Sequence, residues 1–373
     1  MSEKVLRLPV KEYLEEIEVY EAGKPIELLV REYGVAPEDV VKLASNENPL
    51  GTSPLVKEAI IANAHRAHLY PDDSMYELKE ALARKFGVEE EELIIGAGSD
   101  QVLSFVSQLL LEPGRSILTS RVSFAMYDIY ASWYGADIVK SESWRHLPEE
   151  FIPLIEEREP TIVYLCTPNN PTGDAMRVED IEKIVESGNP EKTLFVIDGA
   201  YMEYAAAKNP EYAVSPSRFI ERYPNLLYLG TFSKAYGLGG MRVGYGIARK
   251  ELISALYKIR PPFNITTLSL AAALAALEDE AFVQESLKIH AQEIGRYEEF
   301  ADRNGIEYIE SSTNFISYLF GEDRESGKIA RYLFERGVII RDLSSYGING
   351  VRITVGTPKQ NDRLFEVLQE ALS

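Results

Sequence analysis

From residue 54 onward the apolar positions of this chain alternate between two rhythms. Segments 54–65, 75–86 and 99–111 repeat apolar side chains every three or four positions, which predicts helices, the second stopping at Gly87. Runs at 92–95, 116–119, 137–139, 161–166, 193–197 and 226–230 read as short strands. Several are apolar almost throughout, as strands buried on both faces must be. Alternation of the two types predicts an α/β fold, a mainly parallel sheet flanked by helices.

After Pro261-Pro262 the pattern changes. A long helical block over 268–303 is followed by short strands at 315–319, 337–340 and 351–355, with helices between and after them. This predicts a smaller α+β C-terminal domain over 263–373, behind a large domain over 46–262. Residues 1–45 read as an arm that packs with the smaller domain. It has a short helix near 11–17, a break around Tyr20, Gly23 and Pro25, and a helical stretch ending at Gly34. No repeat and no low-complexity linker interrupts the chain.

Composition narrows the partners. At 373 residues the chain is long for one compact core, so two packed units are expected. A net charge of -20 opposes nucleic acid and anionic membrane surfaces, so an anionic ligand needs a local cationic pocket. The single cysteine, Cys166, excludes an internal disulfide and fits a reducing cytoplasm. The charged amino terminus lacks an apolar signal core, and the apolar stretch around 270–277 is far shorter than the ~20 residues of a bilayer span. A cytoplasmic protein is expected, with no nucleic-acid or membrane partner.

Three polar residues then stand out at the carboxyl ends of predicted strands, where open α/β sheets bind ligands. Strand 161–166 runs into Thr167-Pro-Asn-Asn-Pro-Thr-Gly173 with Asn170, strand 193–197 into Asp198-Gly-Ala-Tyr201, and strand 226–230 into Thr231-Phe-Ser-Lys234. Together they supply what pyridoxal phosphate requires. Lys234 offers an amine for a Schiff base, and Asp198 a carboxylate for the pyridine nitrogen. Asn170 and Tyr201 offer hydrogen bonds to the ring's phenolic oxygen. The turn Gly96-Ala-Gly-Ser-Asp100 opens a helix, whose first N–H groups attract a phosphate. Ser99 suits the N-cap there. Ser233 and Arg242 flank a glycine-rich turn and can close on the same anion. A dinucleotide site is rejected, because Gln101 stands where the third glycine of that fingerprint belongs.

These stretches resemble the fold-type I, pyridoxal-phosphate-dependent aminotransferases, and within them the histidinol-phosphate aminotransferase group. The similarity runs from about Tyr20 to the carboxyl terminus. It includes Leu43-Ala-Ser-Asn-Glu-Asn-Pro-Leu-Gly51, Tyr70-Pro71, Ser233-Lys-Ala-Tyr-Gly-Leu-Gly-Gly-Met-Arg242, Thr313-Asn-Phe315, Ile340-Arg-Asp-Leu343 and Val351-Arg-Ile-Thr-Val-Gly356. The resemblance implies that Lys234 also shuttles the proton, with Asp198 and Tyr201 beside it in catalysis. It implies that Ser99, Asp100, Phe124, Asn170, Ser233 and Arg242 bind the cofactor, with Phe124 stacked on its ring. Tyr70 would reach the cofactor phosphate of a neighbouring subunit, implying a homodimer with shared active sites. Tyr20, Asn46, Arg341 and Arg352 would surround the substrate.

The implied reaction moves an amino group between L-histidinol phosphate and 2-oxoglutarate, a step of histidine biosynthesis. An aromatic amino acid aminotransferase and a threonine-phosphate decarboxylase are the alternatives on the same scaffold. Gly199 and Gln101 stand where many relatives have glutamate, and Phe124 lacks the hydroxyl of some relatives' tyrosine. His65 and His68 lack a further ligand at metal-binding spacing and read as surface residues, so no metal is expected. Cys166, at an apolar strand end, reads as a buried structural thiol.

Overall fold

The computed structural model describes residues 11–14 and 33–373. In chain order its strands are β1 (Val41–Lys42), β2 (Leu93–Gly96), β3 (Ser116–Thr119), β4 (Asp137–Lys140), β5 (Ile162–Cys166), β6 (Leu194–Asp198) and β7 (Leu226–Thr231). After them come β8 (Gly244–Ala248), β9 (Glu307–Ile309), β10 (Phe315–Leu319), β11 (Val338–Ile339), β12 (Arg341–Asp342) and β13 (Gly350–Thr354).

The main sheet has the order β2-β8-β7-β6-β5-β3-β4. Strands β4, β3, β5, β6 and β7 run parallel, whereas β8 lies antiparallel to both β7 and β2. Alternate residues of β5 serve opposite cores, as the two-residue period of a strand demands. Val163 and Leu165 join the cluster that holds Phe195 and Ile197, whereas Ile162, Tyr164 and Cys166 join the one that holds Leu194 and Val196. Both faces are therefore covered, and the carboxyl ends of β5, β6 and β7 open along one edge.

Strand β8 carries no strand signal in the sequence, because Gly244 and Gly246 dilute its apolar run. Its first glycine is required by packing: a Cβ at Gly244 would collide with the backbone nitrogen of Ser99. This close approach seats the turn before the helix Ser99–Leu110 directly on β8.

A second sheet, ordered β12-β13-β10-β9, is antiparallel throughout. Its core includes Ile316, Tyr318, Val351 and Ile353, closed by Tyr297 and Phe300 of the helix Glu280–Asn304 and by Leu364 and Val367 of the helix Pro358–Leu372. The helical block expected over 268–303 is two helices, Thr267–Glu278 and Glu280–Asn304, because Asp279 caps the second by accepting the Phe282 N–H at 3.2 Å. Strand β1 pairs in parallel with β11, so residues 41–42 join this smaller unit. The turn Glu12–Leu14 lies elsewhere, with the Tyr13 ring against Gly135, next to the helix Met126–Trp133. Among the described residues no helix is long and apolar enough to cross a membrane.

Candidate active site

The open edge of the main sheet holds a cavity of about 770 Å³. It is lined by Ser99, Asp100, Phe124, Asn170, Asp198, Tyr201, Ser233, Lys234 and Arg242, with Thr231, Met126 and Trp133 among the other walls. Nine of the sequence-derived candidates thus meet in one cleft.

Its floor is a cradle formed by a helix start and the Arg242 side chain. The helix Ser99–Leu110 begins with Gly98 at the N-cap, one residue before the Ser99 expected there, and Gly98 adopts a φ of +80°. A side chain at Gly98 would strike the Arg242 guanidinium, whose Nη2 would lie 2.7 Å from its Cβ. The glycine therefore lets Arg242 lie across the helix start. Arg242 makes no ion pair among the described residues and bonds only to backbone carbonyls, to Gly239 at 3.2 Å and Ala97 at 3.5 Å. In a chain of net charge -20, an unpaired arginine over a helix amino terminus is arranged for an anionic group such as a phosphate. Ser233 accepts from Thr231 Oγ1 at 3.0 Å, which fixes its hydroxyl beside the cradle. Among the described residues Asp100 Oδ1 is buried without a hydrogen-bond partner, and burial raises its carboxyl above the usual range.

Asp198 ends β6 and is 3 % exposed. Its Oδ2 accepts the Tyr127 hydroxyl at 2.7 Å and its Oδ1 the Ala200 N–H at 3.2 Å. Burial raises its pKa; Tyr127 and Ala200 oppose that shift by favouring the ionised form. Tyr127 is stacked on Tyr164 at 4.3 Å and meets Phe124 edge-on at 5.7 Å, so one buried ring supports both Asp198 and Phe124.

Lys234 follows β7 with its Nζ 5.4 Å from the centre of the Tyr201 ring. Desolvation, then the positive charges of Arg352 and Arg242, lower its pKa to about 8. A lysine so placed is far more often an uncharged nucleophile at neutral pH than one in water. Cys166 also faces the cleft, but burial pushes its thiol up to about 12, as befits a structural residue.

Arg352 and Asn46 stand behind the lining and hold it. Arg352, 7 % exposed in β13, donates to Asn170 Oδ1 at 2.6 Å and to the Ala44 carbonyl at 2.7 Å. With Oδ1 so engaged, the Asn170 amide group remains as a donor. Asn46, held at a φ of 54°, donates to the Tyr201 hydroxyl at 2.8 Å and is braced by Thr354 through its N–H at 2.9 Å. Arg341 sits directly opposite Arg352 across β12 and β13. Tyr70 is not in this chain's own cleft: it is 83 % exposed and packed on Phe263 at 4.8 Å. Tyr20 lies outside the described residues.

The arrangement suits pyridoxal phosphate group by group, with the Arg242 cradle for phosphate, Asp198 for a ring nitrogen and Lys234 for a carbonyl. Sequence reasoning missed Tyr127 and Thr231. Tyr127 lies in an apolar helix and reads as core; only the packing shows its hydroxyl on Asp198. His68 Nδ1 lies 3.1 Å from the His65 carbonyl, and among the described residues no three His, Cys, Asp or Glu side chains gather to hold a metal.

Residues 38–368 match the sequence profile of aminotransferase class I and II. The histidinol-phosphate aminotransferase of Sulfurovum sp. (strain NBC37-1) is 60% identical over 360 residues, covering 96% of this chain and 98% of the relative. That of Sulfurimonas denitrificans is 50% identical over 356 residues, covering 95% and 98%. Among solved structures, the histidinol-phosphate aminotransferase of Sinorhizobium meliloti in complex with pyridoxal-5'-phosphate superposes with a TM-score of 0.90 at 27% identity, covering 100% of this chain and 99% of that one. A cleft built on Lys234, Asp198 and Asn170, within a sequence so matched, makes this chain a member of the aminotransferase class I and II family.

Proposed function

We propose that this protein moves an amino group between L-histidinol phosphate and 2-oxoglutarate, giving imidazole acetol phosphate and glutamate, with pyridoxal phosphate as its cofactor. Relatives named for that activity and matched over nearly the whole chain support the reading. Pyridoxal phosphate, when bound, supplies a carbonyl that condenses with amines and a conjugated ring that takes up the electron pair freed at the carbon bearing the amine.

The chain's residues divide the remaining work. The helix start at Ser99 and Asp100, Ser233 and Arg242 hold the phosphate. Phe124 would cover the ring, and Asn170 and Tyr201 would orient its phenolic oxygen. Asp198 would hold a proton on the ring nitrogen. Lys234 tethers the cofactor. Its Nζ, with a pKa near 8, can also take a proton from the substrate carbon and return it one position away.

The observation that carries the substrate reading is the facing pair Arg341 and Arg352. Two cations directly opposite on adjacent strands make a place where an anionic group is favoured. Histidinol phosphate brings a phosphate and no carboxylate, whereas glutamate brings two carboxylates and no phosphate. A shared Arg352 and a phosphate-favouring Arg341 satisfy both, with Asn46 behind them on the Tyr201 hydroxyl.

Tyr70 then serves a partner subunit's cofactor phosphate, and the working form is a homodimer in the cytoplasm. Two adjacent aromatic rings left at the surface, Tyr70 and Phe263, are the physical motive for association. A panel of amino donors with 2-oxoglutarate, read by mass spectrometry, tests the substrate. Histidinol phosphate should far exceed histidinol, phenylalanine and tyrosine. Equal use of phenylalanine would transfer the reading to an aromatic aminotransferase, and release of CO₂ from threonine phosphate to a decarboxylase.

A further inference from the structure

One chain of side chains outside the cleft joins the floor of the cofactor cradle to the exposed loop that carries Tyr70. Gln101 is the third residue of the helix Ser99–Leu110, from which a side chain can reach back over the first turn. Its Oε1 accepts the Ala97 N–H at 2.7 Å and the Asn264 side-chain amide at 2.7 Å. Asn264 also donates to the Ile95 carbonyl at 3.2 Å, and its Oδ1 accepts from Arg260 Nη1 at 2.8 Å. Arg260 in turn grips Asp73 through both ends of its guanidinium, at 2.9 and 2.7 Å. Asp73 accepts the Phe263 N–H, and Phe263 carries the Tyr70 ring.

The two ends of this chain differ in what they control. Ala97 lies between Gly96 and Gly98, so its orientation sets where the following N–H groups of the cradle point. Asp73 lies three residues after Tyr70, on the loop whose aromatic ring is exposed. The middle is buried: the Arg260 side chain is 8% exposed, and among the described residues its Nε has no hydrogen-bond partner. A buried guanidinium contributes little net stability but tolerates few geometries, so it transmits position.

We propose that Gln101, Asn264, Arg260 and Asp73 are positioning residues that hold the phosphate cradle and the Tyr70 loop as one unit. The proposal rests on the reading that the Gly96–Asp100 turn takes the cofactor phosphate. It predicts that a change at Asp73, which touches no cradle residue, is felt in the cradle.

The test is titration of the full-length, cofactor-stripped protein with pyridoxal phosphate and, in parallel, with pyridoxal, which lacks the phosphate. Asn264→Leu and Asp73→Asn should each weaken pyridoxal phosphate binding by roughly tenfold while leaving pyridoxal within about twofold. Their combination should be no worse than Asn264→Leu alone, because both break one chain. Gln101→Glu keeps an acceptor oxygen for both donors and should stay within about threefold of wild type. Asn264→Asp, which keeps an acceptor for Arg260 but removes the donor to Gln101 and to the Ile95 carbonyl, replaces the leucine variant if that does not fold. No effect of Asp73→Asn, or a loss shared equally by pyridoxal, overturns the proposal. Arg242→Gln separates the premise from the inference. If Arg242→Gln also leaves the preference for the phosphorylated form unchanged, it is the assignment of the turn to phosphate that fails.

Discussion

The Tyr127 hydroxyl donates to Asp198 Oδ2 at 2.7 Å beneath the cleft, and both side chains are almost fully buried. Burial alone favours a neutral Asp198, yet the proposed role requires it ionised; Tyr127 shifts the balance towards the charged form.

Tyr127→Phe should therefore raise the Asp198 pKa further. Activity that needs the carboxylate is lost as pH falls through that pKa, so the acid limb of the kcat profile should move to higher pH. A loss of about tenfold at pH 7 is expected from one charge-assisted hydrogen bond. An unmoved acid limb would assign Tyr127 to packing alone.

Lys234 offers a second pH test. Arg352 and Arg242 both lower its pKa, which stands at about 8. Removing a like charge by Arg352→Gln should raise it. The rate at which cofactor-stripped protein captures pyridoxal phosphate should rise with pH through a midpoint near 8 in wild type and higher in the variant. Coincident midpoints would mean that Arg352 does not act on Lys234.

The facing arginines separate the two substrates. Arg352→Gln should slow both half-reactions, while Arg341→Gln should slow the histidinol-phosphate half by about 2 kcal/mol, roughly thirtyfold. Histidinol, without the phosphate, should be poor from the start and little changed by Arg341→Gln. Equal losses for glutamate and histidinol phosphate would contradict the division.

If Tyr70 completes a partner's site, Lys234→Ala and Tyr70→Ala chains should complement each other. A mixed dimer rebuilds one intact site, so an equal mixture should recover about a quarter of wild-type activity by random exchange. Recovery no greater than the sum of the separate variants would remove Tyr70 from the site.

Glu203 should make stability depend on pH. Burial raises its carboxyl from 4.5 to about 7, against the pull of Lys85. Between those values the unfolded chain releases this proton while the folded chain keeps it, so stability from this group falls as pH rises through that window. Glu203→Gln should match wild type near pH 4.5 and exceed it above pH 7, by on the order of 1–2 kcal/mol in denaturant unfolding. A constant difference across pH would show that burial, not ionisation, sets its effect.

Much of the site was legible because its chemistry stands at strand ends. Asn170 and Lys234 follow β5 and β7 and Asp198 ends β6, strands whose apolar runs the sequence marks plainly. Strand β8 was not, since its glycines serve close packing and remove the signal that identifies strands. The two-residue strands β11 and β12 are too short to show a period, so the facing of Arg341 and Arg352 emerges only from register. Tyr127 escaped notice for a related reason: helical periodicity reports which face is buried, and its hydroxyl finds Asp198 71 residues away.

The most direct measurement follows the nitrogen itself. L-Histidinol phosphate labelled with ¹⁵N at its amine, mixed with 2-oxoglutarate and the loaded enzyme, should yield ¹⁵N-glutamate and imidazole acetol phosphate in equal amounts. Lys234→Ala should give no multiple-turnover product. Glutamate that forms without label, or undiminished turnover by Lys234→Ala, would contradict amino transfer through Lys234.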